Sequence, residues 1–305
     1  MSGEAPLHSL LFVPGDSERK QAKGLASQAD ALILDLEDSV TAAQLPAART
    51  RVAQLVGSRA AGGAPQLWVR VHAPTAGAFG EDLEAVCAQR MPDGIVLPKV
   101  SAPAEVIAAA DYLTALETRL GLTAPVSRLL VIATETPQGL LALPQYLPVL
   151  GSSRAAMGRL TGLTWGAEDL GAALGVRERR ESAGGLTFTF QLARTMCLLA
   201  AAALGVQAID GVQIDFRDAQ GLETSLAEAR RDGFSGKLAI HPDQVAPINA
   251  AFTPTEAELE HARRVVAAFA AAAGAGVASL DGQMIDRPHL VQAQRLLATR
   301  KGARG

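Results

Sequence analysis

A closed (β/α)8 barrel with a helical C-terminal extension is the fold expected of this 305-residue chain. Three observations predict it. Eight short apolar, β-branched runs recur along the first 243 residues. Each is followed by a loop and a stretch rich in the good helix formers Ala, Leu, Arg and Glu. The runs begin about 20 to 47 residues apart, which suits strand-plus-helix units. Regular alternation implies a parallel sheet, and eight units is the number that closes a TIM barrel. A doubly wound open sheet is the competing arrangement.

In order, the runs are SLLFVPG (9–15), ALILDLED (31–38), LWVRVHA (67–73), GIVLPKV (94–100), LLVIATET (129–136), GLTWGAED (162–169), IDGVQID (209–215) and KLAIHPD (237–243). Between them, segments such as DLEAVCAQR and AEVIAAADYLTALETRL read as helices. The rhythm breaks after about residue 250. TPTEAELEHARRVVAAFAAAA reads as one long helix, with Thr253 or Thr255 as its cap and Glu258 nearby. GAGVASLDGQMIDRPHLVQAQRLL then supplies a Gly-rich turn, a hairpin-like excursion and a final helix. GAGVAS is no dinucleotide fingerprint: it follows a helix, lacks the third Gly and begins no βαβ unit. The expected organisation is a catalytic barrel over 1–250 and an extension over 251–305, a candidate lid or subunit contact.

Composition narrows the function. The chain is 49% apolar with a net charge of −3, which gives no electrostatic case for nucleic acid. The runs MCLLAAAALGV and VVAAFAAAAGAGVA fall short of the ~20 residues of a membrane span and read as packed helices. SLLFVP is too short for the apolar core of a signal peptide. Cys87 and Cys197 have no CxxC spacing; buried thiols in a reducing, cytoplasmic compartment are expected. The cluster RERR (177–180) reads as a solvated face.

In such a barrel the reactive groups gather at the C-terminal strand ends. Those ends carry Asp16, then Asp35, Glu37 and Asp38, then Arg70 and His72, Lys99, Glu135, Glu168 and Asp169, Asp215, and His241 with Asp243. Asp16 and Asp38 could simply cap helices. Alternation puts Ile33, Asp35 and Glu37 toward the lumen and Leu32, Leu34 and Leu36 toward outer helices; it likewise groups Trp68, Arg70 and His72. Arg70 is then either an internal ion pair or a fork for a substrate carboxylate. Glu135 and the Glu168/Asp169 pair end adjacent strands with no basic residue in either strand end. They are either solvated loop acids or ligands of Mg²⁺, which takes one or two protein carboxylates and leaves positions for water and substrate. Spacing does not choose between Glu168 and Asp169. There is no GxSxG, HExxH or Walker motif, and His8, His261 and His289 have no evident partner.

Seven motifs in register, LLFVPGDSERKQAKGLASQADALILDLEDSV, LWVRVHAP, IVLPKV, IATETPQG, LTWGAEDL, LAIHPDQV and LDGQMIDRPHL, resemble the citrate lyase β-subunit-like CoA-thioester lyases, from about residue 8 to 297. These belong to the HpcH/HpaI aldolase superfamily and include malyl-CoA and citramalyl-CoA lyases. The resemblance implies a Mg²⁺-dependent carbon–carbon lyase, a homotrimer or a multiple of one, acting on an acyl-CoA thioester to give a small 2-oxo acid. It implies Glu135 and Asp169 as metal ligands and the N–H groups around Ala167, Glu168 and Asp169 as the carboxylate cradle. It also implies Arg70 on substrate oxygens, Glu37 and Asp38 orienting Arg70, Arg19 and Lys23 on CoA phosphates, and Asp286 as an acid/base on a tail that a neighbouring subunit often lends. His72 stands where relatives often have Asn. The retained GQMID tail favours free CoA over a carrier-protein thioester. Competing expectations are a thioester hydrolase on the same metal and a non-catalytic barrel subunit.

Overall fold

The computed structural model describes residues 6–60, 63–123, 125–182, 184–272 and 276–300, the side chains of 299 and 300 excepted. The chain divides into two compact units, Leu7–Asn249 and a smaller one beginning at Ala250.

The larger unit runs β1 (Ser9–Pro14), α1 (Glu18–Leu25), β2 (Ala31–Asp35), α2 (Leu45–Ser58), β3 (Gln66–Arg70), α3 (Ala78–Cys87), β4 (Gly94–Leu97), α4 (Pro103–Arg119) and β5 (Arg128–Ile132). Three short helices follow, α5 (Pro137–Ala142), α6 (Tyr146–Leu150) and α7 (Arg154–Met157). Then come β6 (Leu160–Thr164), α8 (Ala167–Leu174), α9 (Phe188–Leu204), β7 (Gln207–Asp210), α10 (Ala219–Asp232), β8 (Gly236–Ala239) and the first residues of α11 (Val245–Phe252). All eight strands pair in parallel, and β8 returns to β1, so the sheet closes into a TIM barrel and the open-sheet alternative falls.

Leu10, Ile33, Trp68, Val96, Leu130 and Ile209 fill the lumen as one apolar cluster. Gly94 is required there: a Cβ would stand 2.3 Å from the Trp68 ring. On the outside, Leu32 packs on α1 against Gly24, as alternation predicts. The helices begin and end where local chemistry dictates. Thr136 caps α5 by accepting the Gly139 N–H, and Gly205 ends α9 in the left-handed conformation that suits glycine.

In the unit beginning at Ala250, α12 (Glu256–Ala271) opens with a capping box between Thr255 and Glu258, which selects Thr255 over Thr253. The excursion is an antiparallel hairpin, β9 (Val277–Leu280) and β10 (Gln283–Asp286), followed by α13 (Arg287–Arg300). Ala262, Val265, Ile285 and Ala293 form its apolar centre. Cys87 and Cys197 are buried free thiols, as expected. Among the described residues no helix is long and apolar enough to cross a membrane.

Candidate active site

The strand order places Asp35 beside Arg70 in the β2–β3 register. Two side chains on the lumen face at one level must meet, and they form a fork: Arg70 Nε donates to Asp35 Oδ1 at 2.6 Å and Nη2 to Oδ2 at 2.8 Å. Burial alone would raise the Asp35 pKa. The Arg70 hydrogen bonds and charge, with help from Ser39 and the Glu37 N–H, carry it below the usual carboxylate range. Arg70 Nη1 lies 3.2 Å from Glu37 Oε2 and 3.4 Å from Asp38 Oδ2, and the guanidinium stacks over the Phe12 ring at 4.9 Å. The internal ion pair is therefore present, and the fork expected for substrate is already spent on Asp35. The expected orienting pair Glu37 and Asp38 plays the lesser part.

Lys99 ties the second half of the cluster together. Its Nζ donates to Glu37 Oε1 at 2.6 Å and to Asp38 Oδ1 at 2.8 Å, and stands 3.9 Å from Asp169 Oδ1. Burial nevertheless raises the Glu37 pKa, because desolvation outweighs Arg70 and Lys99. Lys99 has a left-handed backbone, φ +51°, which directs its N–H onto Glu135 Oε2 at 2.6 Å.

Glu135 is only 4% exposed. Burial pushes its pKa up to about 8, against the Lys99 N–H and Arg70, with Asp169 and Glu37 adding to the rise. Its side chain packs on Gly166, where a Cβ would stand 2.6 Å from Glu135 Cγ. Gly166 leads directly into α8, whose first-turn residues Ala167, Glu168 and Asp169 receive no side-chain cap from it. Uncapped first-turn N–H groups suit an anion. Glu168 is drawn away to Arg179 at 2.6 Å, whereas Asp169 faces Lys99. This partition favours Asp169 as partner of Glu135.

Arg70, Glu135, Ala167, Glu168 and Asp169 border one cavity of about 890 Å³, as do Arg19 and Lys23 of α1. The cavity also takes in Trp165 and His241. Trp165 donates its indole N–H to the buried Asp210 at 2.7 Å, and Asp210 in turn pairs with Lys237 and Arg194. His241 stacks on Phe216 with ring centres 4.4 Å apart. Among the described residues no group of three or more His, Cys, Asp or Glu side chains is arranged to hold a metal. The donor set is a buried, poorly compensated carboxylate beside a second one. That fits Mg²⁺, which completes its shell with water and substrate oxygens, and not a closed zinc or calcium cage.

Several expectations need correcting. His72 does not face the lumen: its backbone N–H and Nδ1 both bond to Asp82 of α3, because β3 ends at Arg70 and alternation ends with it. Asp38 is not a cap but a partner of Lys99 and Arg70. The acid ending β7 is Asp210; Asp215 lies beyond, bonded to the Arg217 N–H. RERR is a largely exposed face, as expected, on which Arg179 holds Glu168 and Arg180 bonds to Gln213. His8 feels the charge of Asp30, and His289 Nδ1 meets Asp286 Oδ1 at 2.5 Å in the second unit. Lys99 and Asp210 are the participants that the sequence reasoning left without a role. Lys99 was visible as a cation at a strand end, but its left-handed backbone carries no Gly or Asn signal.

The HpcH/HpaI aldolase/citrate lyase family model matches residues 8–242. The chain is 38% identical over 297 residues to a (3S)-malyl-CoA thioesterase of Cereibacter sphaeroides, covering 96% of this chain and 94% of that protein. It is 33% identical over 296 residues to the mitochondrial citramalyl-CoA lyase of Mus musculus, covering 96% and 85%. The solved structure of CitE from Mycobacterium tuberculosis in complex with magnesium, acetoacetate and coenzyme A superposes with a TM-score of 0.75 at 32% identity, over 99% of this chain and 100% of that one. A closed parallel barrel, an acid-rich mouth and a match across most of its length leave one assignment: the chain belongs to the HpcH/HpaI aldolase/citrate lyase family.

Proposed function

We propose that this protein is a Mg²⁺-dependent carbon–carbon lyase that cleaves a 3-hydroxyacyl-CoA bearing a second carboxylate, of the malyl-, citramalyl- or citryl-CoA type, to an acyl-CoA and a 2-oxo acid. The observation that carries the proposal is Glu135, a buried carboxylate in the cavity wall packed on Gly166 just ahead of Asp169. Glu135 and Asp169 would hold Mg²⁺, which supplies Lewis-acid polarisation of substrate oxygens when bound. The first-turn N–H groups of Ala167–Asp169 bind the substrate carboxylate. Arg70, immobilised by Asp35, presents a fixed positive charge where oxygen charge changes. Arg19 and Lys23 bind CoA phosphates. A base at the cavity mouth takes the hydroxyl proton, the alkoxide carbon becomes the carbonyl of the 2-oxo acid, and the electrons of the broken carbon–carbon bond pass to the thioester enolate. Asp286, lent by the tail of a neighbouring subunit, would protonate the enolate carbon and so release acyl-CoA. The exposed Phe188, Leu192 and Leu199, on one face of α9, support self-assembly as a trimer or a multiple of one.

The 38% identical (3S)-malyl-CoA thioesterase supports a second reading, hydrolysis of the thioester. Product identity separates the two. The lyase gives a 2-oxo acid with acyl-CoA; the hydrolase gives intact hydroxyacid with free CoA thiol. With purified protein, Mg²⁺ and the three thioesters, 2-oxo acid is expected, and hydroxyacid plus thiol alone would overturn the lyase assignment. Asp286→Asn should lower turnover by about 10²- to 10⁴-fold with Mg²⁺ binding intact. Unchanged turnover would remove Asp286 from the scheme.

A further inference from the structure

Lys99 touches more of this site than any role so far given to it explains. Its N–H holds Glu135 Oε2 at 2.6 Å. Its ammonium bonds Glu37 and Asp38 and stands 3.9 Å from Asp169. One residue thus reaches four carboxylates, two of which are the proposed cation ligands. Asp35, Glu37, Asp38, Glu135 and Asp169 are set against Arg70 and Lys99, and Arg70 is forked onto Asp35. Around Asp169, Lys99 is therefore the near cation.

We propose that Lys99 is a resident counter-ion of the cation site. It balances Asp169, Glu37 and Asp38 while the site is empty and holds down the affinity for free divalent cation, so that cation and acid substrate load together. The inference rests on the Mg²⁺ reading. A cation held by Asp169 must share that carboxylate with an ammonium 3.9 Å away. Like charges so close repel appreciably even at the effective dielectric of a protein surface. A substrate carboxylate brings negative charge that offsets the repulsion, so each ligand favours the other, and by linkage the coupling is reciprocal. Lys99 is a positioning residue in this scheme and has no proton to move.

A merely structural Lys99 makes the opposite prediction. Without it Glu37 and Asp38 would be left unsupported, the cluster would loosen, and Mg²⁺ would bind more weakly. The test is calorimetric titration of Mg²⁺ into wild type, Lys99→Gln, Lys99→Gly and Lys99→Arg, with and without pyruvate as the probe acid. The Gly variant removes the ammonium but tolerates the left-handed backbone that presents the N–H to Glu135. Without pyruvate, the Gln and Gly variants should bind Mg²⁺ about tenfold more tightly or better. Lys99→Arg should stay near wild type. Pyruvate should tighten Mg²⁺ binding in wild type, and that gain should shrink in the Gln variant. Unchanged or weaker Mg²⁺ binding in both the Gln and Gly variants overturns the counter-ion role. Wild type that takes up no Mg²⁺ even with pyruvate overturns the metal reading itself, and this inference with it.

Discussion

Arg70 and Asp35 form a scaffold ion pair to which the proposed function also assigns a part in the reaction. Each is nearly buried, and each satisfies the other in a two-point fork. Such a pair contributes little net stability over a packed apolar pair, but breaking it strands a charge. Arg70→Met should therefore cost about 3–5 kcal/mol in denaturant unfolding, in addition to its effect on turnover. A loss well below that range would mean that Asp35 finds another partner. Glu135 makes a pH-dependent case. Its pKa rises from 4.5 to about 8 on folding, so the native state holds the extra proton. The stability this contributes is complete below about 4.5 and is lost as pH rises through about 8. Between pH 5 and pH 8.5 the melting temperature of metal-free wild type should fall further than that of Glu135→Gln. If Glu135 is the proposed Mg²⁺ ligand, the ion should restore wild type most at the high end, because a metal binds the deprotonated carboxylate. Parallel melting curves of the two proteins would show that Glu135 ionises normally.

The β6–α8 junction is where local backbone sets the chemistry. Gly166 has φ −123° and ψ 111°, angles that alanine adopts freely, so its need for glycine is one of space. A methyl group there meets Glu135 Cγ at 2.6 Å. Gly166→Ala should leave the circular dichroism spectrum intact and weaken Mg²⁺ binding at least about tenfold, by displacing the Glu135 side chain. Unaltered Mg²⁺ affinity would take Glu135 out of the ligand set. The strands themselves were legible as apolar runs, but their C-terminal ends were not. ALILDLED reads as strand through Asp38, yet pairing stops at Asp35. Beyond it the N–H groups of Glu37 and Ser39 turn back onto the Asp35 carboxylate. A side chain competing for backbone donors ends the ladder, and alternation carries no information past that point. His72 and Lys99 were misjudged or overlooked for the same reason: both lie just beyond a strand end, where orientation follows the loop.

Barrel closure was readable because it rests on counting, and each of the eight units is internally consistent in pattern and propensity. The acids of the mouth were readable as types. Their pairing was not, since Arg179 taking Glu168 and Lys99 facing Asp169 depend on packing between segments far apart in sequence. Self-association carries its own test. Phe188 is 74% exposed and Leu199 62% exposed on the same face of α9, and contiguous exposed apolar surface marks interaction sites. On the proposed trimer, Phe188→Glu with Leu199→Glu should reduce the mass measured by analytical ultracentrifugation to that of a single chain. An unchanged mass would place any subunit contact elsewhere.

The tryptophans give the molecule an optical gauge of its own. The chain has two. Trp68 is sealed in the lumen at 1% exposure, while Trp165 lines the cavity with its indole pinned to Asp210. Emission from the first is a constant background. Emission from the second should vary with whatever occupies the space beside it, so that ligand arrival would be timed in a stopped-flow instrument without attaching a dye.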